Sequence, residues 1–275
     1  MIRLTALLLA AWWAWPVNAA WIETGEVIES RPGVKQMYVV TTPVKADKSI
    51  IDRSSVKNIV LLLTGGPGVI PPAAEGIKEQ KPDRVSLRGY MAERLGVLVA
   101  VGLPSDQPKG LSLEWREGTQ HAQDISAVMD VMLKQYPEAR ITVLGFSNGC
   151  RSAAHISAAA RKRWGMNLKS VVMLSCSMDS FKDNWMTALE ASKEQPKVPV
   201  LVVHHKRDNC LPFERVEPQA KWHDFITVDD PKQPLPNGAA DCSNASAHQF
   251  SGKEEKVYQA VVDWINTGKT TDLKY

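Results

Sequence analysis

Ile141-Thr142-Val143-Leu144-Gly145-Phe146-Ser147-Asn148-Gly149 is the stretch whose reading decides the fold. Ile141 to Leu144 is short, apolar and β-branched, which marks a buried strand. Asn148 to Lys162, with alanine at 153, 154, 158, 159 and 160, reads as a helix. A G-x-S-x-G between a strand and a helix forms a nucleophile elbow. There the serine occupies a strained turn, and the flanking glycines remove Cβ atoms that would clash. The turn lifts the Ser147 hydroxyl above the sheet and aims the free N–H groups of the helix at the same point.

Working outward, Tyr38-Val39-Val40, Asn58 to Leu63, Val97 to Val101, Ser170 to Leu174, Val198 to Val203 and Phe225 to Val228 are further strands. Thr119 to Tyr136 is the clearest helix, with Ile125, Val128, Met129, Met132 and Tyr136 on one face. Tyr90 to Leu95, Asp183 to Lys193 and Glu254 to Ile265 are shorter helices, and Thr64 to Arg88 is a proline-broken loop region. Strands and helices that alternate in this way predict an α/β fold, a mainly parallel sheet with helices on both faces. Ligands of such sheets bind outside the carboxyl ends of the strands, where Ser147 and the segments starting at Gly65 and His204 all lie.

A serine nucleophile needs a base, and the base needs an acid to fix its tautomer. On this architecture the acid and then the base follow the serine in the chain. Asp208 follows the strand ending at Val203, and His248 lies in a small-residue loop just before the last helix. Ser147, Asp208 and His248 are therefore the expected catalytic residues. Asp229 and Asp230 are rival acids before a proline-rich loop, while His204 and His205 precede the acid instead of following it. His121, His155 and His223 have no evident partner. The expected oxyanion donors are the N–H of Asn148 and that of Gly66 in Thr64-Gly65-Gly66-Pro67-Gly68, because Pro67 has no N–H. The Gly68–Arg88 segment and the loop around Trp115 are expected to wall the pocket.

Arg3, the apolar run Leu4–Trp15 and Val17-Asn18-Ala19 form a secretory signal with a small-residue cleavage site, which predicts residues 1–19 as a leader and 20–275 as one domain. The run is too short and interrupted for a transmembrane helix, so no stable membrane insertion is expected once it is cleaved. A formal net charge of +3 without a basic cluster argues against nucleic acid as a partner. The chain is thus expected to be periplasmic or secreted, where its four cysteines would pair. No two show the C-x-x-C spacing of a zinc site. Of the three possible pairings, Cys210–Cys242 would tie the acid loop to the base loop, and Cys150–Cys176 would brace the nucleophile.

These residues resemble the α/β-hydrolase superfamily over essentially the whole chain after the leader. Gly145-Phe146-Ser147-Asn148-Gly149 looks like its nucleophile motif. Thr64-Gly65-Gly66-Pro67-Gly68 is similar to the H-G-G-P-G oxyanion loop of proline iminopeptidase relatives, with Thr64 in place of the histidine. His121-Ala122-Gln123-Asp124-Ile125 resembles the opening of the helix before the elbow strand. Leu174 to Val198 is short for the helical cap of iminopeptidases. The resemblance implies an exported serine hydrolase with little or no cap. It needs no metal or cofactor and acts on a small-molecule ester in preference to a peptide. A peptidase of this fold, with Glu75 or Glu114 as amine anchor, and a non-catalytic binding module are the alternatives.

Overall fold

The computed structural model of the chain describes residues 20–80, 85–176, 197–220, 223–232 and 240–275. β1 (Ala20–Arg31) and β2 (Val34–Val44) form a hairpin, followed by β3 (Asn58–Leu63) and the two-residue β4 (Lys78–Glu79). Next come α1 (Leu87–Leu95), β5 (Val97–Pro104), α2 (Leu113–Arg116), α3 (Thr119–Gln135), β6 (Arg140–Phe146), α4 (Gly149–Trp164) and β7 (Leu168–Leu174). β8 (Val200–His205), α5 (Phe213–Ala220), β9 (Asp224–Asp229), α6 (Glu254–Thr267) and β10 (Leu273–Lys274) complete the order. The expected leader and the expected helix over Asp183–Lys193 lie outside the described residues.

The sheet has ten strands in the order β10-β9-β8-β7-β6-β3-β5-β2-β1-β4. β3 and β5 to β10 run parallel, whereas β1, β2 and β4 join by antiparallel pairing at one edge. Successive side chains of a strand point to opposite faces, and β3 shows the consequence. Ile59, Leu61 and Leu63 enter a core beneath α3 and α4, while Val60 and Leu62 enter a second core beneath α1 and α6. A sheet buried on both faces needs strands apolar at nearly every position, as β3 and β5 are.

Four expectations change here. β1 was not expected, because most of its residues are half-buried or exposed. The Thr64–Arg88 loop contains β4, which pairs with Ala20 and Trp21 of β1. α5 was missed because Pro218 sits inside it; Ser86 caps α1 and starts it earlier than Tyr90.

Glu93 of α1 has an almost fully buried side chain with Arg94 Nη1 at 3.3 Å as its ion pair. Desolvation pushes its carboxyl up to about 7 from an ordinary 4.5, with Arg94 pulling weakly the other way. A raised carboxyl pKa means that folding takes up a proton between those two values, so this group's contribution falls as pH rises from 4.5 through about 7. Glu93→Gln is expected to raise stability at pH 8 by roughly 1–2 kcal/mol, allowing for solvent screening, and to leave it nearly unchanged at pH 4. Urea denaturation at both pH values checks this; an equal effect at both refutes it.

Candidate active site

The end of β6 and the start of α4 hold Ser147 at φ +51, in the left-handed region that a non-glycine residue rarely occupies. Its surroundings leave no alternative. Ser147 N–H donates to the Leu174 carbonyl at the end of β7 (2.9 Å), and its own carbonyl receives the N–H of Cys150 (2.9 Å). A Cβ on Gly149 would run into the Leu63 carbonyl oxygen, and one on Gly145 would stand 2.7 Å from Cys150 Cα. Both glycines of the motif are therefore demanded by close approach of backbone, and the turn is locked.

Three loops at the carboxyl end of the sheet bring the expected residues together. Asp208 lies three residues beyond β8, and Leu211 N–H donates to its Oδ1 at 2.9 Å. His248 sits on a 3-10 turn, Ala247–Gln249, closed by Phe250 in the left-handed region. Its Nδ1 is 2.8 Å from Asp208 Oδ2, and its Nε2 is 2.9 Å from Ser147 Oγ. Both His248 and Asp208 are buried. Since a carboxylate only accepts, Nδ1 carries the proton and Nε2 presents a lone pair to the serine hydroxyl. Phe146 packs edge-on against the imidazole, with ring centroids 5.7 Å apart.

Two residues that sequence reasoning missed support this arrangement. Ser175, just past β7, donates from Oγ to the His248 carbonyl at 2.7 Å. His204 is wholly buried; its Nε2 lies 2.8 Å from the Leu211 carbonyl and 3.4 Å from Asp208 Oδ2. Burial holds His204 below the ordinary histidine pKa despite the nearby carboxylate, so it is neutral and donates from Nε2. Only the position of His204 near a strand end hinted at this, and nothing in the sequence marked Ser175. The rival acids are engaged elsewhere, Asp229 with Lys206 at 3.0 Å and Asp230 with Lys253 at 2.9 Å.

A cavity of about 500 Å³ opens over Ser147, lined by Gly65, Gly66, Asn148, Leu211, His248 and Gln249 among others. Among the described residues no acceptor takes the N–H of Gly66 or of Asn148. The described residues of the Gly68–Arg88 segment are not among those lining this cavity. Ile70, Pro71, Ala74, Val85 and Arg88 line a separate one of about 520 Å³ beside Trp21. Trp115 is instead stacked under Arg31, 5.5 Å from ring centroid to guanidinium, and Glu75 and Glu114 are exposed away from the cavity lining.

Cys150 is joined to Cys176 (Cα–Cα 5.6 Å) and Cys210 to Cys242 (5.0 Å). Cys210 and Cys242 both line the cavity, so the second bridge fastens the segment carrying Asp208 to the one leading to His248. With its ends 32 positions apart in sequence, it is expected to stabilise the fold by about 3–4 kcal/mol in the chain-entropy account. The double variant Cys210→Ser with Cys242→Ser should lose that stability in denaturant and lower kcat. Unchanged stability and kcat would count against the brace.

A family model described as Serine hydrolase (FSH1) matches residues 103–224. Among solved structures the chain is similar to Est1E from Butyrivibrio proteoclasticus, at 14% identity and TM-score 0.55 over 88% of this chain and 97% of that one. It is also similar to an α/β serine hydrolase without lid from Xanthomonas campestris, at 13% identity and TM-score 0.50 over 92% and 94%. A puromycin-hydrolyzing peptidase from Mycobacterium tuberculosis matches at 13% identity and TM-score 0.57 over 91% of this chain but 40% of that one. No curated protein matches the sequence. The chain has the fold of these α/β hydrolases, and over residues 103–224 it is similar to the serine hydrolase (FSH1) family. Among the described residues no helix is long and apolar enough to cross a membrane.

Proposed function

We propose that the chain is an exported serine hydrolase that cleaves a small carboxylic ester through an acyl-enzyme. The observation that carries the reading is the continuous chain of contacts from Asp208 through His248 to Ser147, at 2.8 and 2.9 Å. Ser147 Oγ attacks the ester carbonyl as His248 Nε2 takes its proton. Asp208 keeps Nδ1 protonated and stabilises the imidazolium that forms. The tetrahedral oxygen receives the N–H groups of Gly66 and Asn148, both on the cavity wall. Collapse expels the alcohol, protonated by His248, and a water activated by the same imidazole then releases the acid. Export is supported by the two disulfides, which persist in oxidising compartments.

An ester is favoured over an amide because neither expected amine anchor, Glu75 nor Glu114, reaches the cavity. Fungal esterases from Rhizomucor miehei and a cold-adapted esterase from an Arctic intertidal metagenomic library are among its structural neighbours, which supports the ester reading. The deciding experiment is a panel of nitrophenyl esters of increasing acyl length beside aminoacyl anilides, with fluorophosphonate labelling of Ser147. Turnover of short esters with slow anilide cleavage is expected. Preferred anilide cleavage would move the assignment to a peptidase, and the absence of Ser147 labelling would make the chain a binding module.

A further inference from the structure

Arg116 ends α2 and is the largest fully buried side chain of the described residues, 1% exposed. A buried guanidinium ordinarily pairs with a carboxylate. Arg116 meets none among the described residues. Nη2 donates to the Gly66 carbonyl (2.9 Å) and Nη1 to Ser152 Oγ (3.0 Å), and Nε has no partner. Burial lowers the guanidinium to about 10, which leaves it charged at neutral pH. The hydroxyl of Ser152 lies 3.0 Å from His121 Nε2. A guanidinium only donates, so Ser152 oxygen accepts from Arg116, and its hydrogen is directed to the imidazole. His121 is pushed down to about 3 by burial and by the Arg116 charge, and so adds no second cation.

The loop carrying Gly66 owes its orientation to three such contacts. Gly65 accepts from Gly68 N–H (3.0 Å), Gly66 from Arg116, and Pro67 from Leu111 N–H (2.8 Å). The carbonyls of Gly65, Gly66 and Pro67 are thus held by the protein, while among the described residues the Gly66 N–H has no acceptor, and Gly66 lines the cavity over Ser147. Of the three anchors Arg116 alone is charged, and it lies one hydrogen bond from the Gly66 peptide, whose residue lines the cavity over Ser147.

We propose that Arg116 is a positioning residue of the reaction: through the Gly66 carbonyl it fixes the oxyanion loop, and it lays an unneutralised positive charge beneath the tetrahedral oxygen. The proposal rests on the reading of Gly66 and Asn148 as oxyanion donors. The discriminating probe is a small alkyl boronic acid. When it binds, a bond forms from Ser147 Oγ to boron, the hydroxyl proton passes to His248, and boron becomes a tetrahedral anion resembling the transition state.

Arg116→Met is expected to lower kcat on a nitrophenyl ester about 10- to 100-fold with KM within about threefold, somewhat less than direct loss of an oxyanion donor. The boronate Ki should rise by the same factor. Arg116→Lys should fall between Met and wild type, because one ammonium reaches Gly66 or Ser152 but does not span both. If Arg116→Met does not fold, the lysine variant decides: a kcat loss of about tenfold, matched in boronate Ki, is expected. Unchanged kcat and boronate Ki in a folded variant overturn the proposal. So does a loss of melting temperature with boronate Ki unmoved, which marks a purely structural role. Wild-type activity in Ser147→Ala would instead overturn the serine-hydrolase mechanism itself.

Discussion

Ser147→Ala is expected to reduce kcat on the best ester by a factor on the order of 10⁶ and to abolish fluorophosphonate labelling, since the attacking atom itself is removed. The residual rate should still exceed water alone, because the Gly66 and Asn148 donors and the cavity remain. Stability should not fall with it. The backbone at 147 is held at φ +51 by the Leu174 carbonyl, the helix behind it and the close passage of β3. Glycine tolerates that conformation, so Ser147→Gly is expected to be about 1 kcal/mol more stable than wild type while equally inactive. Active-site titration and urea denaturation measure the two halves; near-normal kcat in the alanine variant ends the assignment.

The second large effect concerns the proton on His248. In Asp208→Asn the side chain keeps its shape, and its oxygen keeps the Leu211 N–H at the Oδ1 position. The amide nitrogen then faces His248 Nδ1, where it donates instead of accepting. The imidazole is driven to the tautomer with hydrogen on Nε2, which cannot take the proton of Ser147. A kcat loss of about 10⁴-fold with little change in KM is expected. His204 Nε2–H lies 3.4 Å from the same carboxyl oxygen and is repelled by an amide there, so a small loss of stability should accompany it. A kcat within tenfold of wild type would show that Asp208 does not set the tautomer.

How much of this was readable from the residues follows from what kind of signal each element carries. β3, β5 and β6 are apolar because both of their faces are covered, and such strands announce themselves. β1 lies toward the sheet edge with Glu23, Glu26, Glu29 and Arg31 along it, and only its register against β2 makes it a strand. Ser147 stood out through local stereochemistry, since only a cramped turn requires glycine at both 145 and 149. Asp208 and His248 were legible through chain order, a property of the architecture. Ser175 and Arg116 carry no local mark, and His204 only its place at a strand end. Ser175 and Arg116 acquire their partners through tertiary contact across 73 residues and across 36 and 50 residues, which composition and spacing do not encode.

β1 pairs from its first residue, Ala20 lying opposite both Val44 and Glu79. Trp21 is buried and packs on α1 at Gly89, where even a methyl group would touch its ring. A protease that trims up to Ala20, or an affinity handle fused directly ahead of it, therefore has no slack: shortening into this strand exposes the flank of β2 and opens an edge for pairing between molecules. Attachment at Tyr275, where the chain emerges beside the last short strand, also meets packed structure, so either handle needs a flexible spacer before it.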